Sequence, residues 1–391
     1  MSRFDVVQGE LGDCWVLAAV ANLTLYSELI DRVIPATPNQ SFDKKDYVGA
    51  FRFYFWRFGK WEEVVVDDYL PTYHNRLVYM HSGTRDEFWS ALLEKAYAKL
   101  VGSYDSLRGG STCESMTDLT GGFTEVFELK SRAPPQLFQI MEKATERESL
   151  MCCSINQTSG MAAETKLSNG LIMGHAYSVT DAKRVQTRYG AVELVRVRNP
   201  WGNSEWKGAY SDSSREWQQI SASERQKLGM VVEDDGEFWM SYRDFVGNFE
   251  TLEICNLSLD YVGELTSKSL PMHSRHMKKK KKWETTIIEG EWRRYANAGG
   301  CRNFLKTFWT NPQYRIKLTE VDEQDNLCTV LIGLMQKDRR KLSSSAPSFL
   351  TIGFSVYQVF SIFLLQVYKF IFLFVLFPNV LVARSKQSHT S

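Results

Sequence analysis

The chain has 391 residues, of which 43% are hydrophobic and 24% are charged, and its formal net charge is +1. This length allows two or three domains with a sizeable core, and the nearly neutral charge argues against a nucleic-acid-binding protein. The seven cysteines are odd in number, include no Cys-x-x-Cys pair and follow no apolar signal segment. They predict reduced thiols in the cytoplasm rather than disulfides or a structural zinc site.

A glycine-containing loop leads into Cys14, which begins an alanine-rich apolar stretch. This stretch predicts one buried helix extending to about residue 34. A thiol in the first turn of a helix is shifted toward the thiolate by the helix dipole. A buried structural cysteine is the simplest alternative, because free cysteines are often core residues. Gln8 upstream and Trp15 directly after Cys14 favour a reactive thiol.

The following segments alternate between strand and helix patterns. Aromatic residues at 49–58 and the strand pattern after them predict a β-hairpin, and 86–101 is a clear amphipathic helix. Two adjacent glycines at 121–122 mark a candidate domain boundary, after which strand patterns dominate. Residues 283–359 predict a β-sandwich.

The apolar tail at 360–383 and a lysine run from Lys278 to Lys282 are the two candidate membrane-binding features. The tail exceeds the roughly 20 residues that span a bilayer, but Lys369 near its centre makes insertion costly. A membrane segment and an unstructured appendage therefore both stay open. The lysine run is either a solvated loop or an attraction for acidic phospholipid or an acidic protein patch.

Three residue types that cysteine proteases need occur in a papain-like order. A thiol nucleophile requires a base, a group that orients the base, and donors for the oxyanion. We expect Cys14 to be the nucleophile, His175 the base and Asn199 its orienting group. Gln8 and the Cys14 backbone N–H would form the oxyanion hole. The Trp201 ring would shield the hydrogen bond between His175 and Asn199 from water.

Longer motifs surround these residues: Gln-Gly-Glu-Leu-Gly-Asp-Cys-Trp at 8–15, Glu-Phe-Trp-Ser-Ala-Leu-Leu-Glu-Lys-Ala-Tyr-Ala-Lys at 87–99, Gly-His-Ala-Tyr-Ser-Val-Thr at 174–180, Asn-Pro-Trp-Gly at 199–202, Asp-Gly-Glu-Phe-Trp-Met at 235–240 and Thr-Phe-Trp-Thr-Asn-Pro-Gln at 307–313. With these motifs the chain resembles the calpains, which are calcium-activated intracellular cysteine proteases. The resemblance extends over roughly residues 1–359.

The resemblance implies an α+β fold, in which a papain-like core of two subdomains is followed by a partial calpain-type antiparallel β-sandwich. The expected ranges are 1–121 for the helical subdomain that carries the cysteine, 122–260 for the β-rich subdomain that carries the histidine and asparagine, 261–282 for a basic linker, 283–359 for the partial sandwich and 360–391 for a divergent apolar tail.

The resemblance also implies calcium sites in the protease core, and carboxylates suit calcium because it prefers oxygen ligands. The first site would use Asp5 and Glu94. The second would use further acidic residues: Glu205, Asp212, Asp235 and Glu237, with the Glu233 carbonyl as an additional ligand. Calcium is expected to bring the subdomains together and to move the Trp201 ring out of the cleft. From the residues alone, Glu94 reads as a surface charge, and only the acidic run at 233–237 stands out.

Protein substrates, Ca²⁺ as cofactor and a cytoplasmic location follow from the resemblance, and the tail and lysine run add an expectation of membrane association. No EF-hand signature is present, so we expect no docking domain for a small regulatory subunit. Compared with the family, the chain is expected to be truncated at both ends. It would lack part of the first calcium loop and the later sandwich strands.

The main hypothesis is a calcium-dependent endopeptidase that makes limited cuts in intracellular proteins through an acyl-enzyme intermediate. The alternative is a catalytically impaired, calpain-like scaffold or regulatory isoform that responds to calcium. Calcium binding without thiol labelling at Cys14 would favour that alternative. A different papain-like chemistry, such as amide transfer or deubiquitination, is disfavoured by the calpain-specific motifs.

Overall fold

The computed structural model describes residues 1–36, 40–42, 45, 47–84, 86–157, 164–257, 282–317, 330–337, 340–342, 350–359, 370–375 and 380–387. The chain divides into two units, the first mainly Met1–Arg57 and Trp61–Leu257 and the second mainly Ser258–Leu342 and Ser348–Ser391. The predicted lysine run lies outside the described residues except for its last member, and so do 360–369 and 376–379 of the tail.

The described part of the first unit contains seven α-helices. They are α1 (Cys14–Leu23), α2 (Ser27–Val33), α3 (Trp89–Val101), α4 (Thr112–Thr120), α5 (Leu137–Glu146), α6 (Ala222–Lys227) and α7 (Tyr242–Asn248). The predicted amphipathic helix at 86–101 is confirmed as α3, which begins three residues later than its sequence pattern.

Helix α1 is the centre of the first unit. Every residue from Trp15 to Leu23 is buried, and a helix that is apolar all round is stable only inside a core. It packs against the β-sheet described below and against α4. Buried hydroxyls bind its backbone: Ser115 Oγ donates to Trp15 O at 2.8 Å, and Ser178 Oγ donates to Ala18 O at 2.9 Å. These contacts fix the position of Cys14, the first residue of α1.

The prediction of one continuous helix from Cys14 to about residue 34 is wrong, because α1 and α2 are separate. Thr24 Oγ1 donates to Ala21 O at 2.7 Å, an interaction that weakens a helix end. Tyr26 then adopts an extended conformation, with φ −127° and ψ 100°, and serves as the N-cap of α2. Side-chain hydrogen bonding to the backbone therefore stops a helix whose apolar pattern would continue.

The first unit has twelve strands in its described residues. They are β1 (Phe51–Arg57), β2 (Lys60–Val66), β3 (Thr72–Tyr73), β4 (Arg76–Leu77), β5 (Phe123–Glu128), β6 (Leu150–Ile155), β7 (Thr165–Lys166), β8 (Ile172–Met173), β9 (His175–Thr187), β10 (Gly190–Arg198), β11 (Glu237–Ser241) and β12 (Thr251–Asn256). The predicted hairpin is confirmed as β1 and β2. Six strands form one antiparallel sheet in the order β11-β10-β9-β6-β12-β5.

The central strands β9 and β10 bring His175 and Asn199 to the same end of this sheet. Strand β9 begins at His175, and β10 ends at Arg198, directly before Asn199. The antiparallel register pairs Arg198 with Ser178, so the start of β9 lies beside the chain that leaves β10. Apolar strand residues such as Val197 are fully buried and hold this end against the core.

The second unit contains the six remaining strands. They are β13 (Lys282–Ile288), β14 (Gln313–Lys317), β15 (Val330–Met335), β16 (Phe354–Val359), β17 (Phe370–Val375) and β18 (Val380–Gln387). They form two three-stranded antiparallel sheets, β13-β18-β15 and β14-β17-β16. The described parts of the predicted tail are therefore strands, each paired with strands from the predicted sandwich. Among the described residues, no helix has the length and apolarity needed to cross a bilayer.

Candidate active site

Cys14 is the first residue of α1 and is half-buried. The next residue, Trp15, is 1% exposed and donates from Nε1 to Leu107 O at 2.8 Å, which anchors this end of the helix. The thiol therefore sits at the N-terminal end of a rigid buried helix, which is the positive end of the helix dipole.

His175 and Asn199 form a buried pair. His175 Nε2 and Asn199 Oδ1 are 2.8 Å apart, and the two residues are 2% and 0% exposed. Asn199 Nδ2 donates to the backbone oxygens of Asn203 and Ser204 at 2.8 and 3.1 Å, which assigns its oxygen to the imidazole. An oxygen acceptor at Nε2 places the ring proton there in the neutral tautomer. The other ring nitrogen, Nδ1, is then available to a thiol.

Trp201 covers this pair. Its ring centroid lies 5.1 Å from that of His175 at an interplanar angle of 54°, and its backbone N–H donates to Asn199 Oδ1 at 3.1 Å. Exclusion of water strengthens an electrostatic hydrogen bond. The position of the ring thus fits the shielding expected for it.

The thiol of Cys14 lies close to the imidazole. Sγ of Cys14, a ring nitrogen of His175 and a carboxylate oxygen of Glu164 all lie within 4.8 Å of one another. Burial lowers the pKa of His175, because it disfavours the charged ring. Interactions with Cys14, Glu164 and Asn199 have a larger, opposite effect and raise this pKa to about 9. The charged form of His175 is therefore favoured beside the Cys14 sulfur.

Gln8 lies beside the same group. Its backbone N–H donates to Pro200 O at 3.0 Å. Its side-chain Nε2 donates to Leu11 O at 2.8 Å and to Glu164 Oε1 at 3.2 Å. The amide is thereby fixed beside Glu164, with one of its two hydrogens directed at that carboxylate.

Glu164 is the site residue that the sequence reading missed. Its Oε1 lies 3.3 Å from His175 Nδ1, and its side chain is 30% exposed. The residue belongs to none of the motifs, and an isolated acid before the short strand β7 carries no signal in one sequence. Only the fold brings it to Cys14.

The chain is similar to known proteins over most of its length. The profile of the family described as "Calpain family cysteine protease" matches residues 1–256, and that of "Calpain large subunit, domain III" matches residues 288–370. The chain belongs to the calpain family. The predicted α+β class, a papain-like core followed by the calpain β-sandwich, is confirmed. The domain III match extends beyond residue 359, where we placed the end of the sandwich.

Individual calpains are similar over most of the chain. Calpain-A of Drosophila melanogaster is 52% identical over 365 residues, which are 92% of this chain and 42% of that protein. Calpain-9 of Homo sapiens is 50% identical over 357 residues, with 91% and 49% covered. The Calpain-1 catalytic subunit of Rattus norvegicus is 50% identical over 364 residues, with 92% and 48% covered. The chain spans about half the length of the curated relatives it matches.

Calpains are regulated by calcium in general, and the first two predicted calcium ligands are Asp5 and Glu94. Asp5 is buried; it accepts from Ser2 N at 2.6 Å and from Ser82 Oγ at 3.4 Å. Its acidic neighbour is Glu87, whose pKa is raised by burial and by the Asp5 carboxylate. Glu87 directly precedes the start of α3 and was not among the predicted ligands.

Glu94 does not have the environment predicted for it. It is 1% exposed rather than a surface charge, its Oε2 accepts from Met80 N at 2.9 Å, and it faces Asp13 instead of Asp5. Burial and the neighbouring acid raise the pKa of Glu94 well above its ordinary value. Asp5 and Glu94, which we expected to share an ion, thus have different acidic neighbours: Glu87 for Asp5 and Asp13 for Glu94.

Most of the second predicted acidic group is clustered. Glu205, Asp212 and Glu233 line one surface pocket. Burial and then neighbouring carboxylates raise the pKa of Glu205 to about 7 and that of Asp212 to about 6, and the pKa of Asp235 is raised for the same reasons. Each of these three side chains accepts one backbone N–H: from Gly236 to Glu205, from Glu233 to Asp212 and from Glu237 to Asp235.

Glu237 differs from the other predicted ligands because its charge is already compensated. Arg3 donates to both of its carboxylate oxygens at 2.7 Å, and Thr180 Oγ1 donates to Oε1 at 3.0 Å. These partners overcome the effect of burial and lower the pKa of Glu237. Arg3, from the N-terminal 3₁₀ turn, was also missed by the sequence reading.

Proposed function

We propose that this chain is a calcium-dependent cysteine endopeptidase that makes limited cuts in intracellular proteins. The observation that carries the proposal is the convergence of the Cys14 thiol, His175 Nδ1 and the Asn199 side chain at the buried edge of one sheet. In a papain-like mechanism these residues act as nucleophile, base and orienting group.

The reaction begins with attack of the Cys14 sulfur on the peptide carbonyl carbon. The carbonyl π bond opens to an oxyanion, which accepts from the Cys14 backbone N–H and from Gln8 Nε2. Because one Gln8 hydrogen is spent on Leu11 O, the hydrogen now directed at Glu164 is the one that serves the oxyanion. Substrate binding would therefore displace the Glu164 carboxylate.

Collapse of this intermediate breaks the C–N bond. His175 delivers its proton to the leaving amine, and a thioester joins the acyl group to Cys14. A water molecule then attacks the thioester while His175 takes its proton, and Cys14 leaves as thiolate. Asn199 holds the imidazole in one orientation through both steps, and Trp201 keeps that hydrogen bond dry.

Two acidic groups fit calcium. Asp5 with Glu87 would hold one ion, and Glu205, Asp212 and Asp235 with the Glu233 carbonyl would hold another. The proposal is supported by the pKa values of Glu87, Glu205, Asp212 and Asp235, which burial and neighbouring carboxylates raise. A cation would remove this electrostatic cost. Bound calcium would supply positive charge that compensates these carboxylates.

The experiment is hydrolysis of a fluorogenic peptide in calcium and in a chelator. We expect turnover in calcium, its loss in the chelator and its loss in Cys14→Ala. Cys301→Ala, in the second unit, is the matched cysteine control and should keep full activity. Calcium-independent turnover would contradict the calcium part of the proposal, and turnover in Cys14→Ala would contradict the assignment of the nucleophile.

Membrane contact through the run from Lys278 to Lys282 and the 360–383 tail is a separate part of the proposal. It is supported by the charge of the run and the apolarity of the tail. When vesicles containing phosphatidylserine are sedimented at low salt, the chain should be recovered in the pellet with them. Equal recovery in the supernatant with and without such vesicles would contradict it.

A further inference from the structure

Glu164 brings a carboxylate into direct contact with the catalytic groups. Its Oε1 is 3.3 Å from His175 Nδ1, and the sulfur, nitrogen and oxygen of Cys14, His175 and Glu164 lie within 4.8 Å of one another. This cluster therefore brings a thiol, an imidazole and a carboxylate close enough together to share one ion. Its members come from α1, from the start of β9 and from the loop before β7.

His175 directs a buried ring nitrogen into this cluster. The residue is 2% exposed, and its Nδ1 faces Glu164 Oε1 at 3.3 Å. Its Nε2 is held by Asn199 Oδ1 at 2.8 Å. A histidine that ligates a metal commonly donates its other N–H to an oxygen acceptor, which fixes the tautomer and the ring orientation. The His175–Asn199 pair supplies this arrangement.

Glu164, like His175, is oriented by a hydrogen bond with a neighbouring side chain. Gln8 Nε2 donates to its Oε1 at 3.2 Å. An amide that donates to a carboxylate holds it in place as an outer-shell partner of a metal site does. Both non-sulfur members of the cluster therefore have their own supporting hydrogen bond.

We propose that Cys14, His175 and Glu164 form a binding site for a thiophilic divalent transition ion, with Zn²⁺ as the best fit. Thiolate sulfur, imidazole nitrogen and carboxylate oxygen are the zinc ligands of proteins, whereas calcium and magnesium prefer oxygen alone. Three protein ligands leave a fourth position for water. The site is thus distinct in chemistry from the acidic groups assigned to calcium.

The geometry requires only a small adjustment. Zinc bonds of about 2.0–2.3 Å in a tetrahedral arrangement separate the ligand atoms by roughly 3.3–3.8 Å. The nitrogen and oxygen already meet this spacing, and the sulfur needs to approach by about 1 Å at most. To ligate the ion, the sulfur and Nδ1 must carry no hydrogen, so zinc binding releases any proton held there.

The expected consequence is reversible silencing of the protease, because zinc would occupy the nucleophile and the base together. This consequence rests on the proposed function, whereas zinc binding itself does not. Glu164 belongs to the proposed zinc site but is not a member of the proposed triad. That difference allows the two proposals to be tested separately.

The test titrates Zn²⁺ into the full chain in excess calcium and measures binding by competition with a chromophoric zinc indicator. We expect Cys14→Ser to bind one zinc fewer than the unaltered chain. Glu164→Gln should weaken this site by more than about tenfold, since loss of even an outer-shell partner costs roughly 10- to 100-fold. Glu164→His exchanges one zinc ligand for another and should retain the site. Glu146→Gln, an exposed acid on α5, should change nothing.

A second readout needs neither turnover nor an indicator. Zinc should protect Cys14 from iodoacetamide in the unaltered chain, and protection in Glu164→Gln should require more than about ten times as much zinc. Equal affinity and equal protection in Glu164→Gln would overturn the site even if the chain cleaves peptides. Zinc binding that depends on Cys14 and Glu164 in a chain that cleaves no peptide would uphold the site and contradict the proposed function.

Discussion

Asn199 is the residue on which the orientation of the proposed base depends. Its oxygen is fixed toward His175 because its nitrogen is committed to two backbone carbonyls. The same oxygen accepts the Trp201 backbone N–H, so the loop after β10 and the imidazole are locked together. An alanine at this position would leave the ring with no partner at Nε2.

We therefore expect Asn199→Ala to lower kcat by roughly 100-fold, which is within the range that a positioned base contributes, and to change KM little. Asn203→Ala is the matched control, because it keeps the backbone carbonyl that Asn199 uses. Steady-state kinetics with a fluorogenic peptide measures both variants. An unchanged kcat in Asn199→Ala would remove Asn199 from the mechanism.

The sequence indicates the residues of the proposed triad but not all of their neighbours, for a physical reason. Cys14, His175 and Asn199 stand in recognisable order and type, whereas Glu164 and Glu87 are single acids in loops. Which acid meets which partner is decided by tertiary packing. The spacing of Glu87 and Glu94 along one motif gave no indication that the second is buried against Asp13.

At the scale of elements, the C-terminal end of α4 depends on a glycine. Gly121 is the C-cap of α4 with φ +70°, a left-handed conformation that other residues adopt at a cost. A Cβ at this position would lie 2.9 Å from Trp56 Cδ1. The predicted boundary at 121–122 thus coincides with a helix end packed closely against the β1 strand.

Gly121→Ala should destabilise the chain by about 1–3 kcal/mol, because backbone strain and the Trp56 contact both oppose it. Urea unfolding followed by tryptophan fluorescence measures the change in the midpoint. Gly190→Ala is the control for strain without a contact, because its φ is +123° and its Cβ would meet nothing within 4 Å. An equal loss in both variants would show that the Trp56 contact contributes nothing.

Strand β12 carries a carboxyl whose charge is disfavoured by the fold. Burial raises the pKa of Glu253 from 4.5 to about 7, although Cys113 partly offsets this. Between these values the folded chain holds a proton that the unfolded chain has released. The stabilising contribution of Glu253 is therefore present below about pH 4.5 and is lost as the pH rises through 7.

Glu253→Gln removes this titration. At each pH, the quantity to compare is the free energy of unfolding of Glu253→Gln minus that of the unaltered chain. This difference should be about 1–3 kcal/mol larger at pH 8 than at pH 5. Urea unfolding in chelator at the two pH values measures the difference, with Glu146→Gln as the exposed control. A difference between Glu253→Gln and the unaltered chain that does not change with pH would show that burial leaves the Glu253 carboxyl unperturbed.

Element types were predicted better than element ends. Periodicity identified α3, the first hairpin and the strands around His175, because burial of one face imposes a repeat on the sequence. The break between α1 and α2 was missed because the Thr24 side chain decides it within an apolar run. The pairing of β17 and β18 with earlier strands was missed because sheet order depends on partners far along the chain.

For the whole molecule, calcium should act as a ligand of the folded state. An ion that binds only the folded chain stabilises it by about 2.7 kcal/mol at a hundred times Kd. Calcium should therefore raise the melting temperature, and Asp235→Asn should reduce the increase by removing one charged ligand. Asp31→Asn, an exposed acid on α2, is the control. An identical increase in Asp235→Asn would exclude Asp235 from the ligands.

The central claim is that His175 activates Cys14 as a nucleophile. Labelling with a peptidyl epoxide in calcium, followed by mass-spectrometric mapping of the modified cysteine, tests it most directly. We expect stoichiometric modification at Cys14 in the unaltered chain and a rate at least about 100-fold lower in His175→Ala, since a base of this kind contributes 10²–10⁴-fold. Equal rates of Cys14 modification in the two proteins, or modification at another cysteine alone, would contradict the claim.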